Sequence, residues 1–394
     1  MLRSHQRFKL GLGLTVLVLM GILISAPVVA QDSSDGAGWS QETQCLGDLP
    51  SSTPRSAWDF AGTLFNVSPE ALRGLRTDIA TSYIVLSVTE EDFVEAGVFS
   101  PSGEWFAYPI GFAEPDVVPD GSDRYVMQAV GFISTRPTPL MATETEWRYR
   151  EIGPTAASLP AGYWLDEERM LYLGQDGNPP VAIDRSVDAA IPWEEPISVF
   201  SYVARRVSPD ESAYYRPVRL SVDTLAFRVY DAEGAIIAQR TDFTVQEPTI
   251  WLDNQRLLSV AALDPETPEA LSLVLLTLDA EADDGVSVTR IADDVAPDFM
   301  LPAPQGDSVA LVAGDRLLLL DLAGQRLVDL CELPDPDAVN TPFYWQPALA
   351  WSPDGTQLAF SEGDQPVLLD TASFSTTVLD APTGPIIGWY DVPR

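Results

Sequence analysis

Ala348-Leu349-Ala350-Trp351-Ser352-Pro353-Asp354-Gly355-Thr356-Gln357-Leu358-Ala359-Phe360-Ser361 is a strand, a tight turn and a second strand written in fourteen residues. Trp351 closes a short apolar run and Leu358 opens the next. Between them Pro353 presets φ, Asp354 can bond nearby backbone N–H groups, and Gly355 tolerates positive φ.

Copies lie elsewhere in the chain. Val98 to Tyr108 is a close one, with Phe99, Ser100, Pro101 and Gly103 at the matching places. Tyr163 to Leu173, Ile250 to Leu258 and Met300 to Val312 are weaker. Ile387-Gly388-Trp389-Tyr390-Asp391 reads as the opening of one more unit, cut off by the end of the chain. A downstream element repeats too: a strand ending in Asp, then a Gly turn, as in Leu317 to Gly324, Val367 to Asp370 and Phe227 to Gly234. From Trp251 to Leu301 to Trp351 the period is 50 residues. Other apolar runs, such as Tyr83 to Val88, Tyr125 to Ile133 and Leu271 to Leu278, alternate with Pro/Gly/Asp turns, a pattern of strands. Ser68 to Arg76, with Ser68 as N-cap and Pro69 after it, is the single stretch that reads as a helical turn. Four antiparallel strands fit a 40–50-residue unit, and such units close radially, which removes most exposed sheet edges. The expectation is an all-β chain: one propeller of about six (five to seven) four-stranded blades over residues 57–394. Each motif Trp should pack between adjacent sheets. Glu194 to Gln246 fits the repeat poorly, as a diverged blade or an insertion.

These units resemble the TolB-type, WD40-like (PD40) propeller repeat, whose mark is Trp-Ser-Pro-Asp-Gly before an apolar strand. The motif is near-perfect at Trp351, Ser352, Pro353, Asp354 and Gly355 and good at Phe99; the Gly-His and Trp-Asp marks of true WD40 repeats are absent. The resemblance implies a protein-binding module. Similar propellers also cover the hydrolase domain of prolyl oligopeptidase-type enzymes, but this chain has no room for that domain and no Gly-x-Ser-x-Gly. The sialidase-like Ser-x-Asp-x-Gly-x-x-Trp box does not match, because Gly355 falls one residue early.

Residues 1–30 read as a secretory signal. Arg3, Arg7 and Lys9 precede an uncharged run to Ala30, and Val28 and Ala30 fit a cleavage site before Gln31. The competing reading is an uncleaved anchor. A secreted or periplasmic location follows from the first, and an N-terminally anchored, extracytoplasmic one from the second. Residues 31–56 are polar and read as a flexible lead-in. Cys45 and Cys331 are the two thiols, and in a compartment that permits disulfides they are expected to pair rather than stay buried and free.

His5 and Lys9, the only His and the only Lys, lie within the signal. The remaining chain therefore lacks a Ser-His-Asp triad, a His base, a Schiff-base lysine and any His-containing zinc site. Oxygen ligands for Ca²⁺ remain. Asp116, Asp120 and Asp123, and separately Asp335 and Asp337, crowd turn-rich segments without EF-hand spacing. No cofactor is expected. Whole-chain charge is −35, and removing three cations takes it to −38. Such a surface repels nucleic acid and anionic membranes. It serves solubility or salt adaptation, or else a cationic partner. The adjacent acids Glu90-Glu91, Glu167-Glu168 and Asp293-Asp294 single out no catalytic residue. The expected function is a monomeric, non-enzymatic module that binds a protein or glycan through loops on one face, without membrane insertion once the signal is removed. The alternative is a carboxylate-dependent glycosidase or lyase on the same scaffold.

Overall fold

Short, nearly continuous apolar runs, buried on both faces and broken by Pro, Gly and Asp, commit the chain to packed hairpins. A computed structural model describes residues 38–393 except 69, 80–81, 89–93, 95–96, 115–123, 138–146, 151–161, 173–179, 187–188, 195–196, 199–200, 203–204, 220–224, 265–266, 283, 333–347, 363–364 and 383. The signal-like segment therefore lies outside the described residues.

The strands are β1 (Ser40–Thr43), β2 (Thr63–Ser68), β3 (Ala71–Leu75), β4 (Tyr83–Ser87), β5 (Val98–Phe99), β6 (Trp105–Glu114), β7 (Arg124–Ser134), β8 (Trp147–Arg150), β9 (Tyr163–Trp164) and β10 (Arg169–Tyr172). Next come β11 (Val181–Asp184), β12 (Ala189–Pro192), β13 (Ala213–Arg219), β14 (Leu225–Asp231), β15 (Ile236–Arg240), β16 (Thr244–Trp251), β17 (Arg256–Ala262), β18 (Leu271–Leu278) and β19 (Val286–Asp293). The chain ends with β20 (Phe299–Pro302), β21 (Ser308–Ala313), β22 (Arg316–Asp321), β23 (Arg326–Glu332), β24 (Leu349–Trp351), β25 (Gln357–Glu362), β26 (Gln365–Asp370), β27 (Thr376–Val378) and β28 (Ile386–Tyr390).

They form seven antiparallel sheets, the blades of a β-propeller. In chain order these are β28-β2-β3-β4, β5 to β8, β9 to β12, β13 to β15, β16 to β19, β20 to β23 and β24 to β27, numbered here as blades 1 to 7. First strands of neighbouring blades touch one another (β5 and β9, β16 and β20, β24 and β28), so they ring the axis. Seven is the upper end of the expected range. The added blade is the fourth, inside the stretch that fits the repeat poorly; its first strand is reduced to one bridge, Val207 to Tyr214.

Closure explains the truncated last unit. Strand β28 is the innermost strand of blade 1, and residues 63–87 supply the other three: Leu64 pairs Trp389 and Thr63 pairs Tyr390. Trp389 packs with Leu64 and Leu75 of blade 1 against Ala350, Ala359 and Leu368 of blade 7, and its indole N–H donates to Ala61 O at 2.7 Å. The buried Arg76 guanidinium donates to Val392 O (2.6 Å) and Thr63 Oγ1 (3.1 Å) and pairs with Asp78 (2.8 Å). It thereby ties the segment after β28 to the β2 and β3 strands of blade 1.

The expected helical turn is absent. Ser68 pairs Ala71 across the β2–β3 hairpin, and its Oγ accepts the Ala71 N–H at 3.2 Å. A Ser-Pro pair caps a hairpin as readily as a helix, and here Leu72 and Leu75 are needed in the sheet core. The polar lead-in also contributes structure: β1 adds in parallel to β23 as a fifth, outer strand of blade 6. Cys45 follows β1 and is disulfide-bonded to Cys331, 286 residues on, with Cα atoms 5.0 Å apart.

Trp389→Ala should destabilise the protein by about 3–5 kcal/mol, the usual cost of emptying a buried Trp site. Denaturant melts check this, and a loss under about 1 kcal/mol would show that the seam does not depend on this ring.

Candidate functional site

The motif turn is a small hydrogen-bonded machine. Ser352 N–H donates to Gln357 O (2.8 Å) and Gly355 N–H to Ser352 O (2.8 Å). Ser352 Oγ accepts from Gln357 N (2.9 Å) and donates to Asp354 Oδ1 (2.7 Å), which also accepts from Thr356 N (3.1 Å) and Thr356 Oγ1 (2.9 Å). These donors, the Ser352 hydroxyl first, hold the Asp354 carboxyl below its ordinary range. At the Phe99 copy, Ser100 and Gly103 repeat the backbone bonds, with Pro101 between them. Glu167, reaching over from blade 3, accepts from Ser100 Oγ, Ser102 N and Ser102 Oγ at 2.7–2.8 Å in place of the missing Asp.

Sequence reading missed a third copy, Ser208-Pro209-Asp210-Glu211. Its bonds match one for one: Ala213 N to Ser208 Oγ (3.0 Å), Ser208 Oγ to Asp210 Oδ1 (2.8 Å), and Ser212 N and Oγ to Asp210 Oδ1 (3.0 and 2.7 Å). Gly103, Gly306 and Gly355 take the fourth turn position at φ +74°, +72° and +68°; Glu211 takes it at +60°. Glu for Gly and Val207 for Trp hid this unit. Blades 3 and 5 use a turn one residue shorter. There Asp166 and Asp253 accept two N–H groups each and pair with Arg169 and Arg256.

The Trp side chains join blades. The indole N–H groups of Trp164, Trp251 and Trp351 donate to Val98 O (3.1 Å), Arg206 O (2.8 Å) and Leu301 O (2.9 Å), each on the first strand of the preceding blade. The 50-residue period slips by one in blade 6. Pro302, not Leu301, holds the Trp place, since it pairs Val309 as Trp351 pairs Leu358.

Connections alternate between the two ends of a meander. One face of the ring therefore carries the motif turns and the turns capped by Asp231, Asp321 and Asp370. The opposite face takes the connections from Glu114 to Arg124, Arg150 to Tyr163, Tyr172 to Val181, Pro192 to Val207 and Glu332 to Leu349. At the Pro192 to Val207 connection Tyr202 packs with Leu171, Tyr163 and Trp193 between blades 3 and 4, in place of a motif Trp. Arg206 donates to Glu247 Oε1 (2.7 Å). Glu247 Oε2 lies 3.2 Å from Tyr215 Oη, which donates to Thr249 O at 2.8 Å. Burial pushes the Tyr215 phenol far up. The exposed Arg205, at φ +54°, slightly offsets the burial that raises the Tyr163 and Tyr390 phenols. Burial raises Tyr390 to about 12 against that pull.

Among the candidate acids, Glu167 caps the Ser100 turn. Glu168 N–H is a donor to Asp166, and Asp293 accepts from Ser272 Oγ at 2.8 Å. Glu90, Glu91, Asp116, Asp120, Asp123, Asp335 and Asp337 lie outside the described residues. Among the described residues no group of three or more Cys, Asp or Glu is placed to hold a metal ion, and no helix is long and apolar enough to cross a membrane. Beside the disulfide an open depression is lined by Leu46, Gly47 and the Arg316–Asp329 ion pair.

Fold and repeat together define a seven-bladed β-propeller. No family model matches the chain, and no curated protein does. Similar solved structures include a functionally unknown protein from Desulfotomaculum acetoxidans (11% identity, TM-score 0.46, covering 83% of this chain and 98% of that one). Prolyl oligopeptidase B from Galerina marginata is similar over 82% of this chain and 52% of its own (11% identity, TM-score 0.44). TolB from Acinetobacter baumannii is similar over 84% and 66% (14% identity, TM-score 0.36).

Gly355→Val should cost at least ~1 kcal/mol. Its φ of +68° is strained for any side chain, and a Cβ would meet the Gln305 carboxamide. An unchanged melting midpoint would refute this turn assignment. Acid gives the second test. Because the Asp354 pKa is lowered by folding, its contribution is complete well above the unfolded value of about 3.9 and disappears as pH falls through the lower folded value. The stability gap between wild type and Asp354→Ala, read from urea midpoints, should narrow from pH 7 to pH 3; a constant gap would contradict it.

Proposed function

We propose that the protein is an extracytoplasmic, non-catalytic binding module that recognises a protein or glycan through the face opposite the motif turns. The carrying observation is the difference between the two faces. On one, short turns consume their own carboxylates, hydroxyls and N–H groups in internal hydrogen bonds. The other takes the long connections, and connections on a rigid scaffold are where recognition is usually placed.

Several carboxylates on the strands and turns are committed to structural roles. Asp166, Asp210, Asp242, Asp253, Asp354 and Asp370 are all shifted downward, by hydrogen bonds from turn donors or a neighbouring arginine. A glycosidase acid is shifted the other way, so these six carboxyls do not supply one. The Cys45–Cys331 disulfide supports an oxidising compartment.

Replacing residues 333–347 by a short Gly/Ser link should abolish capture of the partner from the native envelope or medium while leaving the melting midpoint within a few degrees. Turnover of polysaccharides, glycosides and peptides should be nil with or without Ca²⁺. Turnover abolished by a single Asp or Glu substitution would replace this reading with the enzyme.

A further inference from the structure

The lead-in is fixed to blade 6 in three different ways. Strand β1 lies along the outer edge of β23, where Ser40 N–H donates to Gln325 O (2.9 Å) and Gln44 N–H to Asp329 O (2.8 Å). Half-buried Trp39 packs against the core shared by blades 5 and 6, and Leu46 and Leu49 against the core shared by blades 6 and 7. The segment therefore straddles the blade with an apolar foot on each face. The third fixing is the Cys45–Cys331 bridge.

Further on, the same segment is held independently. Thr53 N–H donates to Val378 O (2.7 Å) and Thr53 O accepts from Asp380 N (3.0 Å), both on blade 7. Thr53 O also accepts the Trp58 indole N–H at 3.1 Å, and the Trp58 ring is buried in the core between blades 7 and 1. The bridge spans 286 residues of sequence, yet in the folded molecule it closes only the short loop from Cys45 to Thr53. Ring closure belongs to the pairing of β28 with β2 and uses neither sulfur. Cys331 itself lies in a bulge, where Leu330 and Cys331 oppose the single Leu317, and takes φ +69°. A bulge at a sheet edge re-aims a side chain, here toward the lead-in.

What the bridge holds is thus local, and it is held lightly. All four residues of β1 are exposed, and the ion pair from Glu42 to Arg326 is long at 3.7 Å. Segments with few buried contacts open at low cost. The bridge is also within reach of a reagent. Cys45 is exposed, Cys331 is half-buried, and the two border an open depression of about 520 Å³ lined by Leu46, Gly47 and the Arg316–Asp329 pair. Exposed disulfides are the ones that exchange readily with thiols.

We propose that Cys45–Cys331 is a reducible latch, opened by an external dithiol such as a redox protein carries in a Cys-x-x-Cys pair, and that opening it frees residues 38–49 from blade 6 while the propeller stays closed. A thiolate of the dithiol attacks Cys45 Sγ, forming a mixed disulfide and expelling the Cys331 thiolate. The second thiol then closes on the first sulfur and expels the Cys45 thiolate. Two electrons and two protons pass to the two cysteines, and the dithiol leaves as a disulfide. This goes beyond the binding-module reading and does not rest on it.

Dithiothreitol, added to the folded full chain without denaturant, tests the latch. Alkylation and mass spectrometry should find no free thiol before treatment and two after it. Hydrogen exchange at the Ser40 and Gln44 amides should then speed by about tenfold or more, while the Thr53 amide and the β28–β2 pair keep their protection. C45S/C331S should show the same pattern with no reductant. Resistance of the bridge to dithiothreitol until denaturant is added would overturn the proposal, as would unchanged exchange at Ser40 and Gln44 after reduction. Loss of protection at Thr53 or across the β28–β2 pair, or failure of C45S/C331S to fold, would make the bridge a staple of the whole ring and equally overturn it.

Discussion

The pairing of β28 with β2 is the constraint on which the rest depends. Seven sheets in a ring leave no free flank only if the last meets the first. Here the meeting is a strand pair, not a packing contact. Backbone hydrogen bonds, the Trp389 ring and the Arg76 guanidinium act on the same short seam. Until residues 386–392 arrive, blade 1 lacks its inner strand and blade 7 lacks the surface that Ala350 and Leu368 cover. Formation of the last contact therefore completes two sheet interfaces together, a reason to expect unfolding as one cooperative unit.

The Trp-to-carbonyl bonds show how one residue type does two tasks. The indole fills the wedge between sheets, and its N–H satisfies a carbonyl on the preceding first strand. Where Trp is missing, the repairs differ. Blade 2 uses Phe99 against Phe65, Phe106 and Tyr390, an aromatic cluster without the donor. Between blades 3 and 4 the chain brings in Tyr202 from the connection instead.

Architecture was legible because its determinants are local. Pro353, Asp354 and Gly355 state their turn in three residues, and the strands predicted at Tyr83 and Leu271 begin where the residues say. The fourth blade was not legible, because the turn bonds made by Ser208 and Asp210 survive replacement of Gly by Glu211 while the pattern does not. Trp389 was legible as a motif residue but not as the seam, since pairing across more than 300 residues leaves no mark nearby. Ser68 misled because a cap for a helix and a cap for a hairpin use the same atoms.

The parallel strand β1 and the bridge behind it decide where mechanical load enters the molecule. Tension on the chain ahead of Ser40 meets first the β1–β23 ladder and then the covalent link from Cys45 to Cys331. It is passed into blade 6 before it can reach Thr63. The propeller can thus be pulled from its leading end without loading the hydrogen-bonded strand pair that holds the ring shut.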